Sequence, residues 1–251
     1  MAQAAVREYW EWEPCGTSPW ITGEIEGGSA EWFDAVERHR YQQEPHILEV
    51  ARFKCGRGAR LLEIGVGAGV DHVQWAKAGA VCHGVDLTDA AIRTTQAHLA
   101  VHGLKSDLKR ADAESLPYPD ASFDIVYSWG VIHHSEHPQR IVDEIHRVLR
   151  PDGKFIGMMY QRHSLVTYKL WVRYALLKGR PGHSLADVLA RHMESEGTKA
   201  YQPAELRAMF GRFSVTSLRP IATVYDRKWL GPLGRFVPDF LGWNLAIEAL
   251  K

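Results

Sequence analysis

Between residues 60 and 159 the chain alternates five times between a short apolar run and a longer amphipathic stretch. Arg60-Leu61-Leu62-Glu63-Ile64 reads as a buried strand, followed by a glycine-rich turn and a helix over 70–78 with Val70, Val73 and Ala76 on one side. A second strand is expected at 80–85. Thr88 is placed to cap a helix that runs to about residue 102, where Gly103 stops it. A third strand lies near Leu108 and a fourth at 122–127. Pro138 opens a helix with Ile141, Val142, Ile145, Val148 and Leu149 at the spacing of one packed face. The turn Arg150-Pro151-Asp152-Gly153 then leads to a fifth strand at 154–159. This alternation specifies an α/β fold, a doubly wound and mostly parallel sheet with helices on both faces.

The flanks differ. The first 57 residues are rich in aromatics (Tyr9, Trp10, Trp12, Trp20, Trp32, Phe33) and look helical over 29–52 with a break at Pro45. After the fifth strand come expected helices at 164–178 and 184–193, and a third from Pro203 to near Gly211. Strands at 213–218 and 243–250 then flank a Pro/Gly-containing stretch at 227–242.

Composition narrows the function class. Lys+Arg and Asp+Glu each number 30, so the net charge is zero, which argues against nucleic acid as the main partner. No apolar run reaches the roughly 18–20 residues that span a bilayer, and the start lacks the order of a secretion signal. Cys15, Cys55 and Cys82 are too few and too scattered for a disulfide framework. A cytoplasmic globular protein is expected.

The chemistry concentrates at the strand ends. Gly65, Gly67 and Gly69 occupy the first strand–helix turn, outside the carboxyl end of a parallel strand, where doubly wound folds bind ligands. Asp86 ends the second strand 21 residues after Gly65, close to the interval at which an acid reaches ribose hydroxyls. Asp112 and Ala113 follow the third strand, where a carboxylate can accept from an adenine amino group. Glu63 ends the first strand inside the cleft. It would repel a pyrophosphate and attract an ammonium group, which favours an amino-acid nucleoside over a dinucleotide.

The motifs LLEIGVGAGVD, GVDLT, ADAESLPYPDASFDIV, SWGVIHH and LRPDGKFIG, in that order over residues 58–161, resemble the class I S-adenosylmethionine-dependent methyltransferases, nearest the ubiquinone/menaquinone-biosynthesis and small-molecule branch. The resemblance implies a seven-stranded Rossmann-like sheet ending in an antiparallel pair, with S-adenosyl-L-methionine as cofactor and S-adenosyl-L-homocysteine as product. It implies that Glu63, Gly65, Gly67 and Gly69 hold the methionine part, that Asp86 binds the ribose with Leu87 against the adenine, that Asp112 and Ala113 recognise the adenine, and that Ser128 contacts the amino-acid moiety. Asp152-Gly153 stands where many members have Gly-Gly. On this reading residues 1–57 are an N-terminal helical lid, 58–161 the cofactor-binding core and 162–202 a helical acceptor-side insertion. Residues 203–251 are a C-terminal helix with the antiparallel strand pair.

Methyl transfer from a sulfonium is an in-line displacement in which positioning dominates, worth about 7–11 kcal/mol, while a general base adds roughly 10²–10⁴-fold. His133 and His134, after the fourth strand, are the candidate bases; packing against the cofactor pocket is the competing role. A metal role for these histidines lacks a completing carboxylate, and no metal is expected. Cys15 has no thiol cluster around it. Tyr9, Trp10, Tyr41 and Tyr160 are candidates for the lid or acceptor pocket. The helix around 165–177, with Lys169, Arg173 and Lys178, fits an acceptor-pocket wall, a peripheral membrane or partner contact, or a buried cap. Ser128-Trp129-Gly130-Val131 is not the tetrapeptide of amino-directed base methyltransferases. The expected function is methyl transfer to a small, apolar or aromatic metabolite. A different reaction of the same cofactor, a non-catalytic scaffold and a nicotinamide oxidoreductase are the alternatives, the last opposed by Glu63.

Overall fold

Seven strands pair into one sheet in the computed structural model, which describes residues 2–12, 16–193, 195, 197–228 and 230–251. The strands are β1 (Arg60–Ile64), β2 (Val81–Asp86), β3 (Asp107–Arg110), β4 (Phe123–Trp129), β5 (Leu149–Tyr160), β6 (Ser214–Ile221) and β7 (Asn244–Leu250). Their order is β3-β2-β1-β4-β5-β7-β6, and only β7 runs against its neighbours. Strand order reverses between β1 and β4, so the crevice lies above the carboxyl ends of those two strands.

The helices are α1 (Ala2–Trp12), α2 (Pro19–Thr22), α3 (Ala30–Gln43), α4 (His46–Ala51), α5 (Val70–Lys77), α6 (Asp89–Val101), α7 (Pro138–Val148), α8 (Leu165–Tyr174), α9 (Leu185–His192), α10 (Pro203–Met209) and α11 (Val224–Lys228). One face of the sheet packs Leu62, Ile64, Val126 and Phe155 against Ile141 and Ile145 of α7 and against Leu206 and Phe210. The other packs Leu61, Ile125, Tyr127 and Ile156 against Ile47 and Val50 of α4 and Trp75 of α5. Successive β1 side chains feed opposite layers, so a continuous apolar run is what a strand covered on both faces requires. Among the described residues no helix is long and apolar enough to cross a membrane.

Three element boundaries depart from the sequence expectation. The turn at 150–153 is a bulge within β5, because Leu149 already pairs with Phe123 before the register resumes at Lys154 opposite Ile125. Between these two pairs β4 advances two residues and β5 five, and Asp152 takes φ 61° within the excursion. The sixth strand continues through Pro220 to Ile221, which is tolerated because β6 is an edge strand. The helix expected over 164–178 ends at Tyr174, and a 3-10 turn over Leu176–Lys178 follows, terminated by Gly179 at φ 68°. The break at Pro45 separates α3 from α4 as the sequence suggests.

Candidate active site

The β1–α5 turn is built from residues that tolerate positive φ: Gly65, Gly67 and Gly69 stand at 80°, 53° and 76°. A Cβ at Gly65 would sit 2.2 Å from Val131 Cγ2, and one at Gly69 would press on Thr95. A Cβ at Gly67 would meet nothing within 4 Å. The first and last glycines therefore serve packing, and the middle one brings bare backbone to open space. Asp86 fixes that backbone. Its Oδ2 accepts from Gly67 N at 3.1 Å, while Oδ1 accepts from Thr88 N and Oγ1 at 3.0 and 2.8 Å. Burial pushes the Asp86 carboxyl up, and these backbone donors pull against that shift.

Glu63 is buried beneath the turn, and its Oε2 lies 3.0 Å from His72 Nδ1. His72 Nε2 lies 2.8 Å from Ser106 Oγ, and the Ser106 hydroxyl donates to the Cys82 carbonyl at 2.8 Å. The single Ser106 proton is thus committed, so His72 Nε2 is the donor to it and carries a hydrogen. The Nδ1–Oε2 contact then needs one further proton. Burial lowers His72 to about 3 and raises Glu63 well above the carboxylate range, which puts that proton on Glu63. Glu63 faces the cleft as a neutral acid.

Asp71, two residues into the first-turn helix, is a feature sequence reasoning missed. Its buried carboxylate accepts from Arg40 Nε and Nη2 at 3.0 and 2.6 Å, from Tyr41 Oη at 3.0 Å and from Tyr127 Oη at 2.8 Å. The bidentate pair ties α3 to α5 across the cleft floor. Beside it, Glu44 Oε1 accepts from Asn244 Nδ2 at 2.7 Å and Trp129 Nε1 at 3.4 Å. An acid after a glycine turn and an Arg-Tyr pair on a helix were visible in the sequence, but their 31-residue separation gave no reason to join them.

These groups line one side of a cavity of about 1300 Å³. That exceeds the roughly 300–1,000 Å³ of a site for one small ligand, so there is room for two. Glu63, Gly65, Gly67, Asp86, Leu87, Asp112 and Ala113 all line it. Gly69 does not, and caps α5 instead. Ser128 does not either; its hydroxyl donates to the Ile64 carbonyl at 3.1 Å and ties β4 to β1. The same cavity is lined by Tyr9 and Trp10 of α1, Tyr160, Trp243, Met193, and Val166, Lys169, Leu170 and Arg173 along one face of α8. That placement makes α8 a cavity wall. Tyr41 lies behind the lining, bound to Asp71.

The adjacent histidines separate. His134 lines the cavity with Trp10 edge-on at 5.6 Å and Nδ1 held at 2.8 and 3.1 Å by Ser195 and Thr198 hydroxyls. Burial lowers it to about 4, so it is neutral at pH 7. His133 is fully buried outside the lining, its ring 3.8 Å from Tyr160, and neither ring nitrogen has a partner. Cys15 falls outside the described residues.

Residues 62–157 match the methyltransferase domain family. Those residues form a methyltransferase domain. The methyltransferase domain is 33% identical over 110 residues to YcgJ, an uncharacterised methyltransferase of Bacillus subtilis, a match spanning 43% of this chain and 44% of that protein. It is 34% identical over 108 residues to a ubiquinone biosynthesis O-methyltransferase of Maricaulis maris, spanning 43% of this chain and 42% of the relative. The chain thus spans less than half the length of these curated relatives. Solved structures share the fold over most of the chain. The solved structure of an S-adenosylmethionine-dependent methyltransferase from Mesorhizobium loti superposes with a TM-score of 0.60 at 19% identity, over 78% of this chain and 92% of that one. That of B. subtilis YcgJ gives 0.57 at 19%, over 82% and 98%.

Proposed function

We propose that this protein binds S-adenosyl-L-methionine along the Gly65–Gly69 turn and transfers its methyl group to a small molecule held in the aromatic half of the same cavity. The observation that carries this is the mixed lining of one space large enough for two ligands: Asp86, Asp112 and the bare backbone of Gly67 together with the aromatic and apolar Trp10, Tyr160, Leu170 and Trp243. The donor set suits the cofactor. Asp86 keeps one acceptor site, on Oδ2, for a ribose hydroxyl, and Asp112, Leu87 and Ala113 line the same cavity for the adenine.

Bound there, the cofactor supplies an activated methyl group on a sulfonium. The chain's own task is positioning. Gly67 brings the backbone close, Asp86 holds the turn and the ribose together, and Glu63 receives the ammonium group. Residues 1–57 cover the cleft as a lid, and α8 and Tyr160 with Trp243 flank the acceptor. His134, held by two hydroxyls, is our candidate to take a proton from the acceptor. His133 shapes the wall behind it.

Calorimetry with S-adenosyl-L-homocysteine tests the cofactor half. Wild-type protein should bind, and Asp86→Ala should lose about 100-fold, or roughly 2.7 kcal/mol; equal affinities would remove Asp86 from the ribose site. Methyl-labelled cofactor incubated with metabolite extract tests the reaction, with transfer of label to a small molecule expected. A different fate of the cofactor would point to non-methyl chemistry.

A further inference from the structure

The cavity carries two populations of charge, and they differ in how they are satisfied. Five acids line it: Glu44, Glu63, Asp71, Asp86 and Asp112. Each accepts from or bonds to protein groups, and Arg40 is committed to Asp71. The remaining Lys and Arg side chains in the lining are Lys169 and Arg173 of α8 and Lys228 of α11. Among the described residues none of the three has an acidic partner.

Their placement is specific. Lys169 and Arg173 are one turn apart on the helix face that also presents Val166 and Leu170 to the cavity, so the two cations interleave with an apolar wall. Arg173 also lies over the Tyr174 ring, its guanidinium carbon 5.2 Å from the centroid, and Lys169 is half-buried. Helix α11 packs on α8 and brings Lys228 to the same wall. The nearest acid in sequence, Asp226, is buried, and its Oδ2 accepts from Thr223 N and Trp243 N at 2.8 and 2.9 Å. It does not neutralise them. The chain as a whole has no net charge, yet residues 164–182 hold Lys169, Arg173, Lys178 and Arg180 and no acid. Lys169, partly buried among these apolar side chains, attracts an anion more strongly than a cation in open water, while exposed Arg173 and Lys228 add a weaker, salt-screened attraction.

We infer that the small-molecule acceptor is an amphiphilic anion. A carboxylate or phosphate is held by Lys169, Arg173 and Lys228, and an apolar or aromatic body lies along Leu170, Met193 and Trp243. This rests on the methyltransferase reading above and adds the acceptor's chemical class to it.

The test uses the full chain and three probes of one shape: 2-naphthoate, 2-naphthyl phosphate and the neutral 2-naphthamide. Each is titrated by calorimetry with and without S-adenosyl-L-homocysteine. The two anions should bind at least about tenfold more tightly than the amide, the scale of one charge-assisted contact. Their relative order identifies which anion the site suits. The preference should shrink with added salt and vanish in the double variant K169M/R173M, while amide and S-adenosyl-L-homocysteine affinities stay within about twofold. Lys228→Met, at an exposed position that leaves the fold undisturbed, should lose about threefold for the anions alone. An amide bound as tightly as the anions, or a preference that survives the double variant, overturns the proposal. Failure of wild-type protein to bind S-adenosyl-L-homocysteine would instead overturn the methyltransferase reading, since the naphthyl comparison is made without it as well.

Discussion

The two walls of the cavity are built on different principles. On the glycine-turn wall every acid is already met by groups of the chain: Asp71 accepts four hydrogen bonds, Asp86 accepts three, and protonated Glu63 donates to His72. On the α8 wall the cations have no acidic partner among the described residues. A wall satisfied internally is rigid before anything binds, which suits a ligand of fixed shape. A wall with unmatched charge is completed by its ligand and takes its specificity from it.

If the acid-side wall is pre-organised in this sense, disturbing it should damage the fold itself. Asp71→Ala would leave Arg40 and two tyrosine hydroxyls without their acceptor. Removing one partner of a buried pair costs about 3–5 kcal/mol. A denaturant midpoint shift of that size is expected. A cost below about 1 kcal/mol, the range of exposed pairs, would show that the floor is held by other contacts.

The second effect is on pH dependence. His98 and His134 are lowered to about 4 and His133 further, chiefly by burial. Below about pH 6.5 the unfolded chain binds protons at these positions that the folded chain refuses, so stability falls as pH drops toward 4. From pH 6.5 to 5 each contributes a loss of up to about 2 kcal/mol. The raised carboxyls Glu63 and Asp86 act in the opposite sense, adding stability at low pH. His98→Gln should flatten the profile between pH 6.5 and 4. An unchanged slope would mean that its burial does not persist in solution.

The regular part of this molecule was legible because its physics is local. Alternating apolar runs, Thr88 as a cap whose hydroxyl accepts from Ala91 N, and glycines at positive φ all act within a few residues. The same holds for Glu63, Asp86 and Asp112, which sit at strand ends by construction. What stayed hidden depends on separation in sequence. Arg40 with Asp71, Glu44 with Asn244 and His134 with Ser195 are joined only by the fold. Adjacent His133 and His134 looked equivalent, yet the short 3-10 turn over Ile132–His134 sends one ring to the cavity and buries the other. Tyr41 belonged by composition to the aromatic pocket and by geometry to Asp71.

Glu63 offers a subtler measure of how finished the acid wall is. The proton it shares with His72 makes the pair neutral before binding. Placing a cationic ammonium against it favours the carboxylate, so binding should release about one proton at pH 7–8. Titration of the cofactor in buffers of different ionisation enthalpy reads this number directly, and Glu63→Gln should bring it to zero. A wild-type value of zero would mean that the pair stays protonated and that the ammonium is held by backbone carbonyls.

The smallest expected effect concerns the seam between the two walls. Glu11, near the end of α1, accepts from Asp89 N and Ala90 N at 2.9 and 3.0 Å, at the N-terminus of α6 where Thr88 is the cap. Arg93 approaches the same carboxylate at 3.5 Å. A carboxylate at a helix N-terminus is worth about 0.3–1 kcal/mol at an exposed site. It ties α1, which carries the cavity-lining Tyr9 and Trp10, to α6, and if α1 is the lid we propose, this contact is weak enough to open during turnover. Glu11→Ala should therefore speed S-adenosyl-L-homocysteine dissociation about two- to fivefold and leave the denaturant midpoint nearly unchanged. A midpoint loss as large as that of Asp71→Ala, with no change in dissociation rate, would make α1 part of the rigid wall rather than its cover.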